Sequence, residues 1–222
     1  MVERFVTRLS IAILIAGCAG VSASARAGVI NGDFGSGNSG FTSGYTFGST
    51  TGGGHYTVGN NPKSWNSFLS AYGDHTTGTG LMMIVDGSGT ANTPVWTESL
   101  AVTPNTAYTF SFWAASCGND NANGIDPSPA ILVAKDNGTT FGSVFHVLAT
   151  NGVWSQFTGT FNSGANTAVS LSITDSNTNG GAGNDLTIDD VALVPEPGTC
   201  TLLLLAGCAP PFWRRRRQAP RL

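Results

Sequence analysis

Cysteine is scarce in this chain of 222 residues, which contains only four. Three of them lie near the ends, at positions 18, 200 and 208, and the middle of the chain holds only Cys117. One cysteine cannot form an intramolecular disulfide, so packing or a bound ion must stabilise the central part. We expect Cys117 to be a half-buried, small apolar residue.

Basic side chains are almost missing from the same central part. Between Gly28 and Val194 there is no arginine, and lysine occurs only at Lys63 and Lys135. Ten aspartates and Glu98 bring the formal charge of this segment to −9, against −3 for the whole chain. Such a segment cannot neutralise a phosphate backbone, which excludes nucleic acid as a partner. Its charge favours solubility and cationic partners.

Strong helix formers are also rare, since glycine, serine, threonine and asparagine dominate the central part. Apolar and polar residues alternate in several short segments, which predicts strands. In one of them Tyr108, Phe110 and Phe112 share a face and Trp113 lies opposite. Residues 35–80 are predicted as long loops on one side of a sandwich. The predicted strands span residues 81–86, 95–102, 108–114, 130–135, 143–148, 154–161, 168–174 and 186–193.

The first 27 residues have the pattern of a secretory signal peptide. Arg4 and Arg8 precede an apolar stretch, and Ala27 ends a small-x-small motif that signal peptidase would cleave. An alternative is a lipid attached to Cys18, whose preceding residues resemble a lipobox. Both alternatives predict export.

Residues 195–222 combine Pro195-Glu196-Pro197, an apolar run at 202–206 and four arginines, Arg214, Arg215, Arg216 and Arg217. This order resembles the PEP-CTERM sorting signal of Gram-negative bacteria. The resemblance implies an exosortase partner, transient anchoring in the inner membrane by a hydrophobic helix, and delivery to the cell surface or an exopolysaccharide matrix. The run from 198 to 213 is shorter than the ~20 residues of a full span. A plain C-terminal anchor is the alternative.

Four motifs of the central part resemble the galactose-binding-like jelly rolls, a fold shared by many carbohydrate-binding modules. They are VINGDF (29–34), LAVTPNTAYTFSFWA (100–114), WSQFTGTF (154–161) and LTIDDVAL (186–193). The resemblance implies an all-β, jelly-roll β-sandwich over residues 28–194.

The same resemblance implies a structural calcium ion where the first and last strands meet. Its ligands would be Asp33, Asp189 and Asp190, since hard cations take several oxygen ligands. This chain has Gly35 where the family usually has glutamate. The alternative is that one aspartate caps a backbone turn and another is solvated. In a regular strand Asp189 and Asp190 would point to opposite faces.

Aromatic residues are the candidates for sugar contacts, because apolar sugar faces lie on exposed rings. Trp65, Tyr72 and Trp113 are predicted to bind a ligand, with core packing as the alternative for each. Asp74-His75 is the most catalytic-looking pair, but a hydrogen-bonded loop is the favoured interpretation. The sequence therefore predicts an exported, non-catalytic surface protein that binds polysaccharide. A structural or adhesive protein without a ligand site is the alternative, and a hydrolase is disfavoured.

Overall fold

The computed structural model describes residues 28–118, 123–179 and 183–197. The predicted signal peptide, including Cys18 and Ala27, and the apolar run and Arg214–Arg217 of the tail lie outside these residues. The described part forms ten strands and one short helix. These are β1 Thr46–Phe47, β2 His55–Gly59, α1 Pro62–Trp65, β3 Met82–Asp86, β4 Thr93–Ala101, β5 Ala107–Ser116, β6 Ile131–Asp136, β7 Thr139–His146, β8 Ser155–Asn162, β9 Ala168–Asp175 and β10 Leu186–Pro195.

The strands form two sheets with the connectivity of a jelly roll. One sheet has the order β1-β2-β3-β10-β5-β8 and the other the order β4-β9-β6-β7. Four antiparallel pairs are nested in the sequence: β6 with β7, β5 with β8, β4 with β9 and β3 with β10. Successive pairs alternate between the two sheets, which is the double Greek key of a jelly roll. The predicted all-β, jelly-roll sandwich is confirmed.

The core lies between the two sheets and is rich in aromatic rings. Phe110 and Phe112 of β5 are fully buried. Phe110 packs on Trp96 with ring centroids 5.9 Å apart, and Phe112 stacks on Phe157 at 4.9 Å. The predicted face of Tyr108, Phe110 and Phe112 is therefore the core face, and Trp113 lies on the outer face of the six-stranded sheet.

Two parts of the sequence prediction were wrong. Residues 35–80 are not only loops, since they contain β1, β2 and α1. Asn61 caps the start of α1, where its side chain accepts a hydrogen bond from the Lys63 amide at 3.0 Å. Strand β7 begins at Thr139 rather than at 143. The β6–β7 turn needs only Asn137 and Gly138, whose φ angles of 47° and 83° match the two-residue hairpin turn that favours Asn-Gly.

The chain between α1 and β3 covers part of the outer face of the six-stranded sheet. It forms a second apolar cluster there, in which Leu69, Met82, Ile84 and Cys117 are buried and Trp65, Tyr72 and Trp154 pack against them. Cys117 is fully buried rather than half-buried, because this covering layer lies over β5.

Within the described ranges, no helix has the length and apolar character needed to cross a bilayer.

Candidate functional site

The outer face of β10, β5 and β8 presents the indole of Trp113 beside polar side chains. Trp113 of β5 lies between its cross-strand partners Asp189 of β10 and Gln156 of β8. The next outward residue of β5, Ser111, pairs with Thr158 of β8. Gln156 and Thr158 are exposed, whereas Trp113 and Ser111 are partly exposed. Adjacent strands lie about 4.8 Å apart, so these groups can contact one extended ligand.

His75 covers part of Trp113. The two rings stack with centroids 3.8 Å apart and an interplanar angle of 17°, and Trp154 packs edge-on against the imidazole at 5.8 Å. The imidazole Nδ1 lies 2.7 Å from Oδ2 of Asp190, and the His75 amide donates to Oδ2 of Asp189 at 3.0 Å. A quarter of the histidine side chain, 24%, remains exposed. The loop is therefore fixed above the sheet by two carboxylates.

An irregularity in β10 brings these two carboxylates to the same histidine. The register of β10 against β5 shifts between Asp189 and Ala192, and Asp190 has a φ of +48°. The expectation that Asp189 and Asp190 point to opposite faces was wrong, because this bulge interrupts the alternation of the strand. Asp189 is buried beneath the loop, and burial together with the nearby charges of Asp190 and Asp74 raises its pKa to about 7.

Asp74 organises the loop itself and does not contribute the partner of His75. Its carboxylate accepts hydrogen bonds from the amides of Thr77 and Gly80, at 2.9 and 2.6 Å. Burial alone would raise the pKa of the Asp74 carboxyl. These hydrogen bonds stabilise its charged form more strongly, so the pKa is lowered overall. The Asp74-His75 sequence pair is thus a hydrogen-bonded loop, and the histidine is paired with Asp190 from β10 instead.

A cavity of about 220 Å³ lies beside this loop and is lined by Asp33, Asp74, Asp189 and Asp190, with Gly35 at its edge. Asp33 is exposed and caps its own turn by accepting a hydrogen bond from the Gly35 amide at 3.1 Å. The predicted calcium ligands therefore face one cavity, and carboxylate oxygens suit a hard cation. Among the residues that the structure describes, however, no three acidic, histidine or cysteine side chains are spaced to hold a metal ion. Calcium at this cavity stays a prediction.

Trp65 and Tyr72, the other two predicted ligand residues, lie in the covering layer. The Trp65 indole nitrogen donates to the Gly48 carbonyl at 3.1 Å. The Tyr72 hydroxyl donates to the Ser116 carbonyl at 3.1 Å, and burial raises its pKa. Their polar atoms are thus already bonded to the protein. The Tyr72 ring packs edge-on against Trp154 at 6.0 Å and reaches Trp113 only through Trp154 and His75. Ligand binding by Trp65 and Tyr72 stays a prediction.

A second group of carboxylates lies where strands β3, β9 and β10 begin or end. Burial raises the pKa of Asp185 to about 7 and that of Asp175 to about 6. Asp86 and Asp126 lie close enough to add repulsion at Asp185. Each of these four carboxylates accepts at least one hydrogen bond; Asp185, for example, accepts one from the Gly87 amide at 2.8 Å. These groups couple stability to pH.

Glu98, the single glutamate of the central part, has a structural position. It is buried in β4 of the other sheet, and its Oε1 accepts a hydrogen bond from the Ile30 amide at 2.9 Å. Its burial raises its pKa. The glutamate therefore fixes the start of the described chain and does not face Trp113.

Sequence reasoning missed Gln156 and the pairing of His75 with Asp190. The two members of that pair are 115 residues apart, and only the tertiary fold brings them together. Gln156 was detectable, since it is an outward position of a strand predicted by alternation and follows Trp154 by two residues.

No protein-family model matches the sequence, and no curated protein matches it. Solved structures with a similar chain trace include a family 4 carbohydrate-binding module, at 18% identity and a TM-score of 0.40 over 76% of this chain and 99% of that one. A second, "Family 16 Carbohydrate Binding Module-2", has 16% identity and a TM-score of 0.44 over 75% and 98%. The tandem CBM22 domains of Xyn10C from Paenibacillus barcinonensis have 14% identity and a TM-score of 0.49 over 81% and 48%.

Proposed function

We propose that this chain is an exported, non-catalytic protein that binds polysaccharide on the outer face of strands β10, β5 and β8. The observation that carries the proposal is the row of Trp113 and Gln156, with Ser111 and Thr158 beside it. An indole surface accepts the apolar face of a sugar ring, and amide and hydroxyl groups exchange hydrogen bonds with sugar hydroxyls.

Affinity electrophoresis of the purified full chain in gels containing soluble polysaccharides tests the proposal. We expect retention by at least one polysaccharide, with a loss of at least about tenfold in affinity for Trp113→Ala. Phe68→Ala is the matched control, because Phe68 is an aromatic residue that is 74% exposed and lies outside the row. Retention that is absent throughout would favour a structural or adhesive protein without a ligand site. Retention that is unchanged in Trp113→Ala would place polysaccharide binding elsewhere on the chain. Turnover of chromogenic glycosides or esters would favour a hydrolase.

We further propose that the tail directs the chain to an exosortase and then to the cell surface or matrix. The support is the order of Pro195-Glu196-Pro197, the apolar run and the arginine cluster. In the structure the first part of this signal is still attached to the sheet: Glu196 donates its amide to the Ala107 carbonyl at 2.9 Å and accepts from the Thr109 hydroxyl at 3.0 Å.

The mass of the protein recovered outside the cells tests this address. Cleavage by signal peptidase after Ala27 and by an exosortase near Pro-Glu-Pro would remove both ends. A full-length protein retained in the cytoplasm would contradict it. A protein that has lost only its N-terminal segment would favour the alternative in which the tail is a plain C-terminal anchor.

A further inference from the structure

The charge distribution around Trp113 restricts what kind of polysaccharide the proposed face can accept. Asp189 is the cross-strand neighbour of Trp113, and Asp33, Asp74 and Asp190 line the adjoining cavity. Asp190 keeps 30% of its side chain exposed and Asp33 is exposed, so their charges reach the solvent beside the indole. A ligand on Trp113 therefore approaches at least two solvent-facing carboxylates.

Within the described residues, few cationic groups are available to offset these carboxylates. Lys135 lies on β6, in the other sheet, about 10 Å away across the sandwich. Lys63 belongs to α1, at the start of the covering layer. On this face, among the residues that the structure describes, only His75 can carry a positive charge, and it is bonded to Asp190.

The hydrogen bond to Asp190 also decides what His75 offers to a ligand. This bond occupies Nδ1 of His75, so Nε2 is the ring nitrogen left to meet a ligand. No described residue forms a hydrogen bond with Nε2. The imidazole is partly exposed and lies against Trp113. A hydroxyl group on a ligand stacked at Trp113 can pair with this nitrogen, because a hydroxyl both donates and accepts hydrogen bonds.

We infer that the ligand is an uncharged, polyhydroxylated chain, and that His75 is a specificity-determining residue that forms a hydrogen bond through Nε2 with one of its hydroxyls. This inference rests on the proposed function. Uronate and sulfated polymers are repelled by Asp33 and Asp190, whereas neutral sugars meet Gln156, Thr158 and the free imidazole nitrogen.

Pairs of polymers that share a backbone but differ in charge separate this inference from binding as such. The full chain is tested against hydroxyethyl cellulose and carboxymethyl cellulose, against methyl-esterified and de-esterified galacturonan, and against dextran and dextran sulfate. EDTA is present so that no divalent cation bridges two carboxylates. We expect the neutral member of at least one pair to bind at least about tenfold more tightly than its anionic partner. Equal or tighter binding of the anionic members overturns the inference but leaves polysaccharide binding intact. No binding to either member removes both.

Variants distinguish the two parts of the inference. Asp33→Asn, at an exposed position, should narrow the difference in affinity between neutral and anionic polymers. Asp136→Asn, on the other sheet, is its control. His75→Asn keeps a polar group near Asp190 but lacks the Nε2 position, and should lose at least about tenfold in affinity for the neutral polymer. If His75 only covers Trp113, His75→Asn and His75→Ala would bind as tightly as the unmodified chain or more tightly, which would overturn its assigned role. Circular dichroism verifies that each variant is folded.

Discussion

Raising the pH from about 5 to about 8 should destabilise this protein, because several of its buried carboxyl groups hold their protons more tightly in the folded state. Burial raises the pKa of Asp185 and Asp189 from 3.8 to about 7, and that of Asp175 to about 6. Between the unfolded and folded values, the folded state binds more protons than the unfolded state. The stability that these carboxyl groups contribute is therefore fully present below about pH 4 and is lost as the pH rises to about 7.

The size of the effect follows from the linkage relation. A carboxyl that is protonated only in the folded state changes the free energy of unfolding by up to about 1.4 kcal/mol per pH unit. Over two pH units Asp185 alone would lower the free energy of unfolding by at most about 3 kcal/mol, and water penetration reduces this value. We expect a total decrease of about 2–3 kcal/mol between about pH 5 and pH 8, or roughly 4–12 °C in melting temperature. The lowered pKa of Asp74 affects stability only below about pH 4, because this carboxyl is ionised in both states at higher pH, and it leaves the decrease between about pH 5 and pH 8 unchanged.

Urea denaturation followed by tryptophan fluorescence, in EDTA and at several pH values, measures this profile. Asp185→Asn should flatten it and should be more stable than the unmodified chain at about pH 8. The amide oxygen can still accept the hydrogen bond from Gly87. Asp33→Asn, at an exposed position, should leave the profile unchanged. A free energy of unfolding that rises between about pH 5 and pH 8, or an Asp185→Asn profile as steep as the original, would refute the reasoning.

Three further predictions concern the cation, the core and the covering layer. Millimolar calcium should raise the melting temperature at about pH 8 by ligand linkage, as measured by differential scanning fluorimetry. Asp190→Asn should abolish the increase and Asp136→Asn should retain it. A melting temperature that calcium does not shift would count against a calcium site. Phe110→Ala should cost about 3–5 kcal/mol of unfolding free energy, because the ring is fully buried against Trp96, and a loss below about 1 kcal/mol in urea denaturation would place this ring outside the core. Tyr72→Phe should cost only about 0.5–1.5 kcal/mol, because it removes one hydrogen bond to the Ser116 carbonyl, which also accepts from the Gly152 amide. It should leave polysaccharide retention unchanged, and a loss of retention would return Tyr72 to the binding site.

The sandwich could be predicted from the sequence because its strands alternate cleanly. Along β5, Tyr108, Phe110 and Phe112 face the other sheet while Thr109 and Ser111 face outward, and burial follows this order. The local signal was weaker where β2 and α1 interrupt a glycine-rich region. Strand β7 was placed too late because Gly142, a residue that disfavours strands, separates Phe141 from the apolar positions after it. In the structure Gly142 has a φ of +68° where the register against β6 shifts.

The candidate site was only partly predictable, since its geometry depends on contacts between distant segments. Trp113 was identified from its position opposite the core face of β5. The contribution of His75 depends on the bulge at Asp190, and one residue in the left-handed region has no clear signature in a single sequence. Trp65 and Tyr72 were chosen for their aromatic character, but the sequence does not reveal that Gly48 and Ser116 supply partners for their polar atoms.

Oxidative footprinting read by mass spectrometry tests most directly whether polysaccharide binds on the face of β10, β5 and β8. The full chain is labelled with hydroxyl radicals with and without a retained polysaccharide, and oxidation is compared at Trp113, His75 and the exposed Phe68. The account predicts that the polysaccharide protects Trp113 and His75 and leaves Phe68 unchanged. Protection confined to other parts of the chain, with Trp113 oxidised equally in both samples, would contradict it.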